Sequence, residues 1–208
     1  LQQLETLQLE GYACDVSSLQ GLAGLSKLEV LNLELLSELK SLAGISSGVA
    51  VLSIEGADNL VTLAGIEGCS SMKSLSLCNC GVSSLQPLRD VSSLESFKVD
   101  NISITSLEGL RGTSLRSLSL YHCDLLTDLS GVEQLIGLKE LAVHYCDDVT
   151  SLQPISQLGL QVLSVYCSGV HEEVLELPNV QTSAHVRVHD SGVREVVLAG
   201  GQSRIVCH

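Results

Sequence analysis

Apolar and polar positions alternate in short bursts along this chain, as in Leu75-Ser76-Leu77 and Leu118-Ser119-Leu120, and the bursts recur at a nearly constant interval. A period of two predicts a short strand with one buried face. The apolar pairs are Leu7/Leu9, Leu31/Leu33, Leu52/Ile54, Leu75/Leu77, Phe97/Val99, Leu118/Leu120, Leu141/Val143, Leu163/Val165 and Val186/Val188. All eighteen positions are apolar in a chain that is 45% apolar. Chance would produce that roughly once in a million, so the pairs are a structural repeat and not clustered leucine.

Between the pairs lies a second recurring string, L-x-[GP], at Leu19, Leu42, Leu63, Leu85, Leu107, Leu129, Leu152 and Leu198, with successive leucines 21 to 23 residues apart once Leu175 is counted as a degenerate copy. Such a period identifies a solenoid: one repeat cannot bury its own apolar stripe, so each coil stacks on its neighbours and the strands align in parallel. Nine strands at ~4.8 Å make a slab about 40 Å long. Proline replaces glycine in two copies, at Pro87 and Pro154. Proline fixes φ near −65° and lacks an N–H, so equivalent geometry predicts negative φ at Gly21, Gly44, Gly65, Gly109 and Gly131, with glycine chosen for smallness. Each string is then a 3₁₀ or single helical turn.

The segments LRSLSLYHCDLL at 115–126 and LKELAVHYCDDV at 138–149 resemble the leucine-rich repeat family, whose strand segment is L-x-x-L-x-L-x-x-[NC]-x-L. The repeat length and the SLxGL or SLxPL string are similar to the short subclass found in Sds22-like phosphatase regulators and internalin-like adhesins. The resemblance implies an α/β leucine-rich repeat solenoid of about nine repeats, with a parallel sheet on the concave face, short 3₁₀ or turn segments on the convex face, and modest curvature. One domain spans 1–208, with regular repeats over 1–180 and a divergent last coil and the start of another over 181–208. The chain begins and ends without an obvious cap, so it reads as a fragment of a larger protein.

Composition narrows the function. Eleven Lys and Arg against 24 Asp and Glu give a net charge of −13, which repels phosphate backbones and argues against nucleic acid. No apolar run approaches the ~18 residues of a membrane span. Trp is absent and Phe occurs once, so stacked aliphatic layers organise the core. Eight cysteines do not fix the compartment by count. Their core phases favour an intracellular location, with a secreted or cell-surface one as the alternative.

Two stretches, Tyr121-His122-Cys123-Asp124 and His144-Tyr145-Cys146-Asp147, are candidates for metal or nucleophile chemistry. Strand phase turns Tyr121 and His144 outward, while the resemblance implies that Cys123 and Cys146, three residues past the second buried residue at the family's Asn or Cys position, face the core. Zinc needs three or four converging ligands. Catalytic residues, metals and cofactors are therefore not expected, and the chain does not read as an enzyme. Cys80 shares that inward phase with Tyr12, Leu36, Ala57, Ile102, Ser168 and Ser191, whereas Cys78 faces outward. A Cys123–Cys146 disulfide is possible in separation but badly aimed.

The outward columns carry the functional expectation. After each buried pair come Glu10, Glu34, Glu55, Cys78, Asp100, Tyr121, His144, Tyr166 and His189; between the pairs come Gln8, Asn32, Ser53, Ser76, Lys98, Ser119, Ala142, Ser164 and Arg187. Tyrosine and histidine are common interface anchors. The reading is a non-enzymatic protein-interaction scaffold with Tyr121, His144 and Tyr166 as the hot spot, His189, Asp100, Lys98 and Arg187 beside it, and Glu10, Glu34 and Glu55 steering a basic segment of a protein partner. Protonation of the histidines near pH 6 would retune binding. A phosphatase- or kinase-regulating subunit of the Sds22-like type, and a surface adhesion or receptor domain carrying the sequon Asn101-Ile102-Ser103, are the alternatives.

Overall fold

Every alternating pair lies on a strand in the computed structural model, which describes residues 2–11, 15–171, 173–181, 183–189 and 191–205. The strands are β1 (Thr6–Glu10), β2 (Val30–Glu34), β3 (Val51–Ala57), β4 (Ser74–Cys80), β5 (Ser96–Ile102), β6 (Ser117–Tyr121), β7 (Glu140–Cys146), β8 (Val162–Ser168), β9 (Val174–Leu177), β10 (His185–His189), β11 (Glu195–Leu198) and β12 (Gln202–Ile205). β1 through β8 and then β10 form one parallel nine-stranded sheet in sequence order. The register is unbroken: Leu7 pairs with Leu31, Leu31 with Leu52, and so on through Leu163 to Val186.

This register stacks like on like. The inward residues from Leu31 to Val165 are all buried, and they join one continuous apolar core that runs from Leu19 to Leu198. Phe97, the sole phenylalanine, occupies a leucine position in β5 and is 1% exposed. β1 is an edge strand, so its Leu7 and Leu9 are half-buried.

On the opposite side, the L-x-[GP] strings from Leu19 to Leu152 close the same turn. The N–H three residues after the leucine donates to the leucine carbonyl, from Leu22 to Leu19 at 2.8 Å through Ile155 to Leu152 at 3.0 Å. Six such segments are 3₁₀ helices: Gln20–Leu22, Ile66–Gly68, Gln86–Asp90, Glu108–Leu110, Val132–Gln134 and Gln153–Ile155.

The expected negative φ fails at three of the five glycines: Gly44, Gly65 and Gly131 have φ of 91°, 107° and 102°. Proline cannot adopt that conformation, so the Gly and Pro coils are not equivalent. At two of these sites the glycine N–H also has work that proline cannot do. Gly65 donates to Glu67 Oε2 at 2.6 Å and Gly131 to Glu133 Oε2 at 2.7 Å. The signal was the glutamate two residues on, in Gly65-Ile66-Glu67 and Gly131-Val132-Glu133. Smallness matters too: a Cβ on Gly109 would fall 2.2 Å from the Leu85 carbonyl carbon, and one on Gly65 2.6 Å from the Ala43 nitrogen.

The last coils depart from the pattern. Leu175 and Leu177 lie on β9 and Leu198 ends β11, and these two strands pair in parallel where earlier coils place turns. Alternation in Val174-Leu175-Glu176-Leu177 and Glu195-Val196-Val197-Leu198 gives buried residues at every second position, which suits a strand better than a 3₁₀ turn. β12 runs antiparallel to β11, so 202–205 do not begin a tenth strand of the large sheet.

The two roles of glycine are separable by substitution. Gly65→Ala combines positive φ with a backbone clash and should cost roughly 2 kcal/mol or more. Nothing lies within 4 Å of a Cβ on Gly21, and its φ is not positive, so Gly21→Ala should stay within about 0.5 kcal/mol of the parent. Urea unfolding of the two variants measures the difference.

Candidate functional site

Because the sheet is in register, its outward residues form straight columns that cross all nine strands. One column is Glu10, Glu34, Glu55, Cys78, Asp100, Tyr121, His144, Tyr166, His189, each paired with the next across neighbouring strands. Beside it runs Gln8 through Lys98 and Ser119 to Arg187. No member of either column is buried. The structure thus brings all ten sequence-selected residues onto one face, acids on β1 to β3 and rings on β6 to β10.

The rings touch. Tyr121 meets His144 edge-on at 5.0 Å between centroids, His144 meets Tyr166 at 6.1 Å, and Tyr166 meets His189 at 5.7 Å. Lys98 Nζ lies 5.3 Å from the Tyr121 centroid. Ring pairs in such tilted or edge-on arrangements attract beyond their buried area, so the column is a packed surface and not a row of independent side chains.

Two further rings join that the alternation rule alone would turn inward. His122 and Tyr145 stack at 4.9 Å with planes 4° apart, and Tyr145 lies 5.8 Å from Tyr166. Both have positive φ, 48° and 54°, as do Leu35, Gly56, Asn79 and Asn101 at the same phase of the coils of β2 to β5. The cause is visible in the backbone: His122 donates its N–H to the His144 carbonyl at 3.1 Å, and Leu35 donates to Glu55 at 2.7 Å. The chain keeps one more bond to the next strand and then twists through the left-handed region, which aims the side chain outward before the following residue plunges into the core. Asparagine tolerates this conformation. On the acidic side of the patch the same column is amidic, with Asn101 Nδ2 donating to Asn79 Oδ1 at 2.7 Å. Histidine and tyrosine are costlier occupants, by about 1 to 2 kcal/mol each. Their run beside the ring column was the signal available in the sequence.

The cysteines fall where the repeat resemblance put them. Cys80, Cys123 and Cys146 are 6%, 0% and 0% exposed, and Leu36, Ala57 and Ile102 share their buried phase. Ser168 and Ser191 are half-buried; Tyr12 lies outside the described residues. Cys123 donates to the Tyr121 carbonyl at 3.4 Å and Cys146 to the His144 carbonyl at 3.4 Å. Both are free thiols, as are Cys69, Cys78 and Cys80. A hydrogen bond with Cys146 and burial push the Cys123 thiol far above the ordinary range; burial pushes Cys69 up to about 11. Burial raises Cys80 as well, whereas the hydrogen bond with Cys123 lowers the Cys146 thiol; thiols that face the core are out of a reactant's reach. Among the described residues no three His, Cys, Asp or Glu side chains are grouped to hold a metal ion.

Electrostatics divide the face. Burial first, then the negative charges of Asp100 and Glu55, raise the pKa of the half-exposed Cys78 thiol between them. Gln8 Nε2 donates to Glu34 Oε1 at 3.0 Å. At the other end, His144 hydrogen-bonds Ser164 Oγ at 2.8 Å, and burial lowers its pKa from 6.5. The expected histidine switch near pH 6 is therefore moved to lower pH at His144. An open depression of about 590 Å³ lies away from the rings, where β8 and β10 begin, lined by Lys139, Gly159–Val162 and His185 among others.

No protein-family model and no curated protein matches the chain. Solved structures do. A TLR13–ssRNA13 complex matches with a TM-score of 0.64 at 18% identity, over 95% of this chain and 30% of that one. The functional domain of InlJ from Listeria monocytogenes, described as including a cysteine ladder, gives 0.51 at 12% identity over 90% and 54%. A plant peptide hormone receptor, RGFR1 in complex with RGF2, gives 0.50 at 15% identity over 96% and 40%. The chain spans between 30 and 54% of the lengths of these three. Among the described residues no helix is long and apolar enough to cross a membrane.

His144 provides a direct check on the packing of the rings. Its folded pKa lies below the unfolded value, so the unfolded chain takes up the proton first as pH falls through about 6.5. The stability it contributes is complete above that pH and is lost below it. NMR titration of the imidazole should give a midpoint below 6.5, and His144→Phe should reduce the loss of stability between neutral and mildly acidic pH.

Proposed function

We propose that this chain, a leucine-rich repeat solenoid, is a protein-interaction module that binds its partner across the outward, concave face of the nine-stranded sheet. Tyr121, His144 and Tyr166 anchor the partner, with Tyr145, His122 and His189 extending the contact. Glu10, Glu34 and Glu55 steer a basic segment of the same partner, and Asp100, Lys98 and Arg187 lie along its path. The observation that carries this reading is the contiguous ring cluster on an otherwise small-residue, polar face, because half-exposed Tyr and His that already pack on one another offer contact area with little entropy left to lose.

The function is binding without catalysis. The thiols of Cys123 and Cys146, nearest the rings, are buried, which supports that assignment, and the free state of the described cysteines supports a reducing, intracellular compartment. Two of the matched structures are complexes by their descriptions, one with ssRNA13 and one with RGF2. For this chain the charge of −13 favours a protein over a nucleic acid. A surface-receptor reading has in its favour the exposure of Asn101 in the sequon.

Affinity capture with the wild type and with the Tyr121→Ala/Tyr166→Ala variant tests the proposal. The double variant should lose the captured partner, an effect of at least about 2 kcal/mol or thirtyfold, while its thermal midpoint stays within a few degrees. Retention of the partner at unchanged affinity would move the interface to an edge or to the convex side.

A further inference from the structure

The ring patch already seats a cation. Lys98 is exposed, with water available to its ammonium, and yet the group lies 5.3 Å from the Tyr121 ring centroid, within the ~6 Å at which a ring face attracts positive charge. Asp100, in register with Tyr121 on the neighbouring strand, adds a carboxylate on the same side. The pairing shows what these rings accept when a cation is in reach.

The rest of the patch has the same character. Tyr145 and Tyr166 are 42% and 37% exposed and inclined at 59°, so they present two faces of different orientation. His144 lies in contact with Tyr166, and its lowered pKa makes it a neutral ring at physiological pH. Asp124, Asp147 and Asp148, all exposed, follow the rings in their loops. From β5 to β10 the two outward columns hold no aliphatic side chain larger than Ala142. An apolar side chain docking here would meet ring faces at the cost of desolvating an acidic rim, whereas a cation gains from both.

We propose that the patch is a receptor for arginine side chains on an extended basic segment, with guanidinium groups stacked on Tyr145 and Tyr166 and the rim carboxylates balancing their charge. This rests on the reading of the sheet face as a protein-binding surface and names the chemistry recognised there. Arginine suits it better than lysine because a guanidinium is planar, stacks on aromatic faces and is weakly hydrated. Spacing is also specified. Side chains two residues apart on an extended segment are separated by ~6.6 Å, close to the 5.8 Å between the Tyr145 and Tyr166 centroids. The recognised sequence is therefore Arg-x-Arg, and its continuation crosses toward the acids of β1 to β3.

Fluorescence anisotropy of a labelled Arg-Ser-Arg-Ser-Arg peptide on the intact chain tests this, with lysine and citrulline versions as comparisons and a labelled oligouridylate as a further probe. The arginine peptide should bind about fivefold more tightly than the lysine peptide of equal charge, and citrulline more weakly than either. Tyr145→Leu and Tyr166→Leu, which keep apolar area and remove the π face, should bring arginine down to the lysine level; Tyr166→Phe should retain the preference. Equal binding of arginine and lysine, a preference that survives both leucine variants, or tighter binding of the oligouridylate would overturn the proposal. Loss of the partner in the Tyr121→Ala/Tyr166→Ala variant alongside equal arginine and lysine binding would remove the arginine chemistry alone and leave the sheet face as the interface.

Discussion

The whole molecule depends on parallel strand pairing held in one register. A strand turns alternate side chains to opposite faces, and a slip of one residue between coils would bring every leucine of the stripe to solvent and every polar residue to the core. Register here runs unbroken from Leu7 to Val186. The aliphatic core that enforces it also creates the outward columns. Core and outward face are two consequences of the same pairing, which is why the ring cluster needs no pocket to assemble it.

That pairing explains what was legible in the sequence. Strand phase assigned Leu118 and Leu120 inward and Tyr121 outward, and the structure places all three that way, because period two is a geometric property of extended backbone; Cys123 lies inward as the repeat resemblance implies, not by alternation. The convex turns were harder. Leu63-Ala64-Gly65 and Leu107-Glu108-Gly109 share one string, but Gly65 has positive φ and Gly109 does not. The i to i+3 bond can close through either backbone path, and the residues that bias the choice, such as Glu67, lie outside the string. His122 and Tyr145 were missed because alternation holds only while the backbone stays extended. A single left-handed residue at the end of the strand inserts an extra outward position. In the last coils β9 and β11 replaced turns for a related reason: the strings Leu175-Glu176-Leu177 and Val196-Val197-Leu198 are short, and a repeat read in phase hides a change of local period.

The site is legible at the level of surface chemistry. Acids at one end, packed tyrosine and histidine rings at the other, and a lysine seated on Tyr121 make up the face on which we propose that a cationic, extended chain binds. Burial lowers the pKa of His144, which keeps that ring neutral at physiological pH. On that proposal, specificity comes from the spacing of the coils, which the aliphatic core fixes.

Site-resolved thiol alkylation of the native protein, read by mass spectrometry, tests the assignment of faces on which all this rests: alternation carries Cys78 outward, and the left-handed residue that follows it, Asn79, turns Cys80 inward. Cys78 and Cys80 are two residues apart on β4, with Cys78 half-exposed and Cys80, Cys123 and Cys146 buried. Alkylation should mark Cys78 while the other three stay protected until denaturant is added. Labelling of Cys123 or Cys146 in the native state at the rate of Cys78 would contradict the assignment of inward and outward positions.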